Sequence, residues 1–256
     1  MLRTGVLPPT LFNLRRPLLL LLSTHIHSCQ KLGKMGAGRK SASCSENKEG
    51  VKRGTLMVME GCDRTGKTTQ AKQLVEFLNS AGKHTVFMRF PERSTHIGGI
   101  IDKYLSNKQE LDDRAIHLLF SANRWELLPE IQKVLKSGTN IIIDRYAYSG
   151  VAFSAAKPGM SLEWCKGSDA GLPRPDLVLF LDLTPEQALS RGGYGTERYE
   201  SQKFQERVRE NYHSLKDNSW KVIDADRTIE KLQEVLRTEV LNAVNSVKQE
   251  ELPILW

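Results

Sequence analysis

A chain of 256 residues is long enough for one or two domains with a sizeable buried core. Its 39% hydrophobic and 26% charged residues, with a mean hydropathy of −0.40, give a globular composition, and the longest apolar run, Leu18 to Leu22, falls far short of the ~20 residues that span a bilayer. The net charge of +7 and pI near 9.2 would suggest a polyanionic partner, but all of that excess lies in the first 45 residues, where Arg3, Arg15, Arg16, Lys31, Lys34, Arg39 and Lys40 meet no acid before Glu46. The remainder is balanced, which removes the main support for a nucleic-acid or membrane partner.

Residues 1–51 settle into no sustained helical or strand period. An acid-free stretch containing Arg and Ser is the pattern of a mitochondrial transit peptide. Two alternatives stand beside it. Arg15-Arg16 before Leu18–Leu22 resembles a secretory signal, although that apolar core is shorter than the usual ~7–15 residues. The stretch could equally be an untidy upstream extension of the reading frame, with Met35 as the working start. Met35-Gly36 is a poor myristoylation site, because Lys40 stands where Ser or Thr is required. The folded domain is expected over residues 52–256.

From Lys52 strand and helix alternate. Thr55–Glu60 is a short apolar run, followed by a Gly-rich turn and a helical stretch from Lys67 to Ala81 that stops at Gly82. His84–Phe90 reads as a second strand, ended by Pro91. Asp112–Lys136 is a long helix with Ile116, Leu119, Phe120, Asn123, Leu127 and Leu128 on or near one stripe, and Gly138 stops it. Thr139–Asp144 and Asp176–Leu183 are continuous apolar runs, as strands buried on both faces must be. Trp220–Ala225 is a fifth strand and Thr228–Val247 a closing amphipathic helix. The alternation implies one α/β domain, with a five-stranded parallel sheet flanked by helices on both faces. Of the four cysteines, Cys29, Cys44, Cys62 and Cys165, none forms a CxxC pair, which points away from zinc or a disulfide scaffold and towards a reducing compartment.

The strongest chemical signal is Gly61-Cys62-Asp63-Arg64-Thr65-Gly66-Lys67-Thr68, a full GxxxxGK[ST] phosphate loop between a buried strand and a helix. Its glycines let backbone N–H groups and the helix N-terminus close on anionic oxygens. Lys67 then reaches the β- and γ-phosphates, and Thr68 offers its hydroxyl to Mg²⁺. A small-molecule kinase, a GTPase switch and a motor ATPase all share this loop. The guanine reader of a GTPase is missing, since Asn107-Lys108-Gln109-Glu110 ends in Glu and lies between helical stretches. A kinase needs a second anion site, and several basic residues offer one. Arg93 follows the second strand. Phe120 and Arg124 lie one turn apart on the long helix, where a base could stack on the ring and bond to the guanidinium; a core Phe beside a surface Arg satisfies the same spacing. Asp144 ends the third strand, placed to orient Mg²⁺, and Arg145 beside it can hold phosphate. Residues 191–200, rich in Gly and charge, read as a lid or as an ordinary exposed loop.

Phe90–Thr95 (FPERST), His117–Glu126 (HLLFSANRWE), Asp144–Phe153 (DRYAYSGVAF) and Gly171–Leu181 (GLPRPDLVLFL) resemble thymidylate kinases of the eukaryotic type, in the right order, over a region from about Gly54 to the C-terminus. The resemblance implies a P-loop nucleoside monophosphate kinase fold, transfer of the ATP γ-phosphoryl group to dTMP with Mg²⁺, and a homodimer packed through helices. It implies that Gly61, Arg64, Thr65, Gly66, Lys67, Thr68 and Thr69 cradle the ATP phosphates, that Thr68 and Asp144 hold the metal, and that the region from Ala225 to Arg227 touches adenine. Arg93 and Arg145 would bind the dTMP phosphate and Asp63 the sugar 3′-hydroxyl. Phe120 would stack on thymine, Arg124 would bond its O4, and Phe90, Ser149, Gly150 and Phe153 would line the pocket. Tyr199 would crowd the 2′ side of the sugar and Gln205 would close over the acceptor. Arg64, Lys67, Asp144 and Arg145 would form the catalytic set, with Arg64 acting on the transferred group; the role of Arg198 in the lid stays open. Cys62 reads as a small residue filling a tight turn, or as a redox switch. Two other functions fit parts of the pattern, a deoxynucleoside kinase acting on thymidine and a nucleotide-gated binding protein without transfer. The compartment would be mitochondrial if residues 1–51 are a transit peptide, and cytoplasmic or nuclear otherwise.

Overall fold

Continuous apolar runs mark the three interior strands of a five-stranded sheet. The computed structural model describes residues 52–191, 198–199, 201–247, 250 and 252–256; the expected appendage over 1–51 and lid residues 192–197 and 200 lie outside them. In chain order the elements are β1 (Leu56–Glu60), α1 (Lys67–Ser80), β2 (Thr85–Arg89), α2 (His96–Leu105), α3 (Asp113–Lys136), β3 (Asn140–Asp144), α4 (Ala147–Ala155), α5 (Leu162–Gly167), β4 (Leu177–Asp182), α6 (Pro185–Ser190), α7 (Gln202–Leu215), β5 (Trp220–Asp224) and α8 (Ile229–Ser246). The strands form one parallel sheet in the order β2-β3-β1-β4-β5.

Every residue of β1 and β3 is buried. Successive side chains point to opposite faces. Leu56, Val58, Ile141, Ile143, Val178 and Phe180 therefore join the core under α3, α4 and α7, while Met57, Met59, Ile142, Leu179 and Leu181 pack against α1 and α8. Both faces are covered, which is why these strands read as unbroken apolar runs.

The expected strand boundaries shift by one residue at several ends. Thr55 donates its amide to the Asn140 side chain (3.0 Å), leaving β1 to begin at Leu56. Asp112 caps α3 by accepting from the amides of Arg114 and Ala115, and the helix continues through Pro129. The helical stretch expected before Asn107 is α2, whereas α4 and α5 had no sequence signal strong enough to announce them. Helix α4 explains why: seven of its nine residues are buried, so it has no polar face and no amphipathic period.

Gly54 makes the closest approach at the entry to the sheet. Its amide donates to the Leu135 carbonyl (2.8 Å), and a Cβ added there would lie 1.9 Å from the backbone oxygen of Thr139. Gly54→Ala is therefore expected to destabilise the fold by about 1–3 kcal/mol through overpacking, read as a lower midpoint in equilibrium urea unfolding. An unchanged midpoint would mean that the chain entering β1 adapts without strain.

Candidate active site

The C-terminal ends of β1, β3 and β2 lie side by side, with Asp144 in register with both Met59 and Arg89. Ligands of open α/β sheets gather at such ends. The turn leaving β1 is forced by backbone geometry. Gly61 has φ 149° and sits so close to β4 that a Cβ would lie 2.6 Å from the Leu181 oxygen. Arg64 and Gly66 also have positive φ, 64° and 89°, and Lys67 begins α1 immediately afterwards. The loop closes round its own lysine: Lys67 Nζ donates to the Cys62 carbonyl (2.5 Å) and to Thr65 Oγ1 (3.1 Å). Burial, then the neighbouring Arg145, lowers Lys67 to about 8, against the pull of Asp144 and Asp63. Cys62 is buried in the same turn and its thiol is pushed up to about 12 by that burial. A buried thiol of this kind fits a small packing group in a tight turn.

Asp144 faces this loop. Its Oδ2 accepts from Thr68 Oγ1, while its Oδ1 is buried with no hydrogen-bond partner. Arg145 follows in a left-handed conformation, φ 67°, which turns it from the end of β3 towards Asp63. The two form an ion pair at 2.5 Å, and Arg145 also reaches the Gly61 carbonyl (3.2 Å) and lies 5.2 Å over the Phe153 ring. Burial alone would lower its proton affinity, but the carboxylates of Asp63, Asp144 and Glu60 together with Tyr212 raise it, so the guanidinium remains charged. Gln205 locks Asp63 from behind, accepting from its amide (3.1 Å) and donating to its Oδ2 (2.6 Å).

The phosphate loop opens into a cleft of about 380 Å³. Asp63, Arg64, Gly66, Lys67, Thr68, Thr69, Asp144 and Arg145 line one end; Phe90, Arg93, Phe120, Arg124, Ser149, Gly150, Phe153 and Tyr199 line the other. Gly61 and Thr65 lie inside the loop, and Gln205 is buried behind Asp63. Ala225 and Arg227 are not brought to the cleft. Ala225 accepts from Arg191, which also reaches the Arg64 carbonyl (3.3 Å), whereas Arg227 turns to Asp224 (3.7 Å).

The spacing argument for Phe120 and Arg124 left a surface arginine open. The structure decides otherwise: Arg124 is only 2% exposed and pairs through two nitrogens with the fully buried Asp169. Arg93 pairs with Asp102 on α2 (2.8 Å). Its loop is held by Asn123, which bonds to both the amide and the carbonyl of Glu92 and to Thr95. Asn123 therefore sits on the buried stripe of α3 as a buried amide with its partners supplied. Arg198 stacks 4.0 Å over Tyr104 and pairs with Glu110.

Sequence reasoning missed Asp169, Arg89 and Glu60. The carboxylate of Glu60 is wholly buried and accepts from the amides of Tyr146 and Ser149, from Ser149 Oγ and from Tyr212. Burial raises its pKa, with those donors and Arg145 opposing. An acid ending an otherwise apolar strand was the available signal.

Comparison with known proteins agrees with this geometry. The family model for thymidylate kinase matches residues 59–236. Thymidylate kinase of Danio rerio is 48% identical over 208 residues, covering 80% of this chain and 98% of that one. The Homo sapiens enzyme is 49% identical over 209 residues, 80% of this chain and 99% of the other. Among solved structures, thymidylate kinase of Candida albicans aligns with a TM-score of 0.73 at 38% identity, covering 80% of this chain and 99% of that chain. With the phosphate loop, the Asp144-Arg145 turn and the aromatic-arginine end of one cleft all in place, the chain belongs to the thymidylate kinase family of nucleoside monophosphate kinases.

Proposed function

We infer that this chain transfers the γ-phosphoryl group of ATP to dTMP, giving dTDP and ADP, at the cleft between the phosphate loop and α3. The observation that carries this reading is the continuity of that cleft: Lys67 and Thr68 line it together with Phe120 and Arg124, and Arg145 reaches both Asp63 of the phosphate loop and the Phe153 ring. Two anions can thus approach one charged centre.

Roles follow from position. The backbone from Gly61 to Thr69 cradles the donor phosphates. Arg93 and Arg145 hold the acceptor phosphate, Asp63 the sugar 3′-hydroxyl, and Phe120 and Arg124 the base, between walls formed by Phe90, Ser149, Gly150 and Phe153. Tyr199, stacked on Phe204 at 5.1 Å, crowds the sugar. Gln205 acts through Asp63, and adenine lies towards Ala225. The unpartnered Asp144 Oδ1 beside the Thr68 hydroxyl fits Mg²⁺, a hard cation that takes one carboxylate and one hydroxyl along with phosphate oxygens. No cluster of three or more His, Cys, Asp or Glu forms an all-protein cage among the described residues. When bound, the ion would neutralise charge on the phosphates. The protein's own work is to hold donor and acceptor in line and to keep Arg64, Lys67 and Arg145 aimed at the transferring group.

Two further assignments accompany this reading. Residues 1–51 are an appendage to a catalytic domain over 52–256, and the chain goes to mitochondria if they are a transit peptide and stays in cytoplasm or nucleus otherwise. The match of 80% of this chain to 98% of a relative supports the boundary. The chain forms a homodimer through helix faces, supported by Leu118 and Trp125, 50% and 37% exposed two turns apart on α3. No helix among the described residues is long and apolar enough to cross a membrane, and no nucleic-acid partner is proposed. Mass spectrometry of the N-terminus from cells and light scattering of the purified chain test these two assignments.

A coupled assay supplying thymidine and dTMP side by side tests the function. Turnover with dTMP alone is expected, since two arginines for an acceptor phosphate have no use in a thymidine kinase. Folded protein that binds ATP and makes no dTDP would refute the reading. Arg64→Ala should lower turnover by about 10³-fold while weakening dTMP binding far less, because its contact forms with the transferring group.

Lys67 adds a pH signature. Its value near 8 rises when phosphate oxygens lie beside the ammonium, so its contribution to binding is complete below about 8 and fades as pH climbs through the higher bound value. ATP affinity should therefore fall above pH 8 with proton uptake on binding, seen by calorimetry in buffers of different ionisation enthalpy. Binding without proton uptake there would mean that Lys67 carries its charge throughout.

A further inference from the structure

We propose that Asp169, secured by the C-terminal segment 252–256, is a positioning residue that aims Arg124 at the acceptor base and so sets selectivity for a pyrimidine with a carbonyl on the edge Arg124 reads. The inference rests on the function proposed above and names how its acceptor end obtains specificity.

An arginine can read a base edge only if its planar fork is held. Asp169 clamps one side of that fork through Nε (3.0 Å) and Nη2 (2.6 Å) in a fully buried ion pair. Gly150 closes over it from α4, where a Cβ would lie 2.7 Å from Nη2. Asp169 is itself held by a stripe along α3 with the spacing of one helix face. Ser121 Oγ lies 2.8 Å from both Asp169 Oδ1 and the Ser168 carbonyl. Trp125 Nε1 donates to the same carbonyl (2.8 Å), and His117 Nε2 bonds the Cys165 carbonyl (3.0 Å).

The other side of this turn is held by the chain's last residues. Leu255 is 1% exposed; it donates to the Leu172 carbonyl (2.8 Å) and accepts from the Gly171 amide (3.3 Å). Arg174 donates to the Pro253 carbonyl (2.7 Å), and Trp256 Nε1 donates to the Lys166 carbonyl (2.6 Å). The tail thus grips the chain both before and after Asp169. Three links run from it to the base: tail to turn, Asp169 to Arg124, and Arg124 to the cleft.

The test uses the full chain with saturating ATP, comparing dTMP with dCMP, whose base carries an amino donor where thymine has O4. Loss of one aimed hydrogen bond predicts that Asp169→Asn raises KM for dTMP about tenfold and lowers the preference for dTMP over dCMP by a similar factor. KM for ATP should stay within about twofold, because the donor end is untouched. Since removing Asp169's charge leaves a buried cation unpaired, Trp256→Phe serves as the second variant: it keeps a ring against Tyr148 and deletes the bond to Lys166. It should shift the preference in the same direction by about threefold, less than one full hydrogen bond. Selectivity is the readout that a purely structural role would not move, because a smaller folded fraction scales both substrates alike. A preference unchanged in Trp256→Phe, with only a lowered Tm, overturns the inference. A wild-type chain that makes no dTDP overturns the underlying function instead, which is a separate outcome.

Discussion

The buried carboxylate of Glu60 ties together the two turns on which everything else in the cleft depends. It ends β1, the strand that launches the phosphate loop, yet its bonds go to the start of α4, at Tyr146 and Ser149, and to Tyr212 on α7. Removing an ion from water costs several kcal/mol, and a hydrogen bond to a charged group returns about 1.5–3 kcal/mol. Its pKa is raised in spite of four donors and a nearby arginine, so burial outweighs the compensation. The arrangement is explained by geometry more than by net stability: with Glu60 in place, the turn after β1 and the turn after β3 cannot move independently.

That constraint sets up the charge pattern. Arg145 is held in a left-handed turn against Asp63, and Asp63 is held in turn by Gln205 on α7. Three elements thus converge on one guanidinium before any phosphate arrives. Preorganised charge of this kind needs no rearrangement at the moment of transfer, and for phosphoryl chemistry that is most of what a protein can contribute. Lys67 is lowered in the same crowded space, first by burial and then by Arg145, whereas Arg145 keeps its charge because the carboxylates around it outweigh its own burial.

How much of this could be read from the residues depends on distance along the chain. The three interior strands, β1, β3 and β4, were legible because a strand covered on both faces needs no polar face, and the phosphate loop because its glycines, lysine and threonine lie within one short segment. Boundaries slipped where a side chain replaced a backbone partner, as Asn140 does for Thr55. Helix α4 was hidden by burial on nearly all sides. Asn123 was found on the apolar stripe of α3, but its purpose was not legible, because its partners Glu92 and Thr95 lie about thirty positions away in another loop. Asp169 was invisible for the same reason, its partner Arg124 being 45 residues distant, and Glu60 showed only as an acid ending an apolar strand, with partners up to 152 residues away.

The two ends of the cleft differ in how they achieve rigidity. The phosphate end is made rigid by backbone, through positive φ at Arg64, Gly66 and Arg145 and through a glycine pressed against β4. Apart from Arg145, those demands fall within one short segment, Gly61 to Gly66, so the sequence displays them as a motif. The base end is made rigid by side chains that meet across helices: Arg124 with Asp169, Asn123 with the Arg93 loop, and Ser121 and Trp125 with the turn after α5. No single segment contains that end, and each of its members taken alone looks like an ordinary polar residue on a helix or in a loop. The chemistry common to phosphate-loop enzymes is therefore written locally, whereas the choice of acceptor is distributed over α3, α4, the turn after α5 and the last residues of the chain. Substitutions that alter what the site accepts need not touch the site at all; they need only loosen one member of that distributed set.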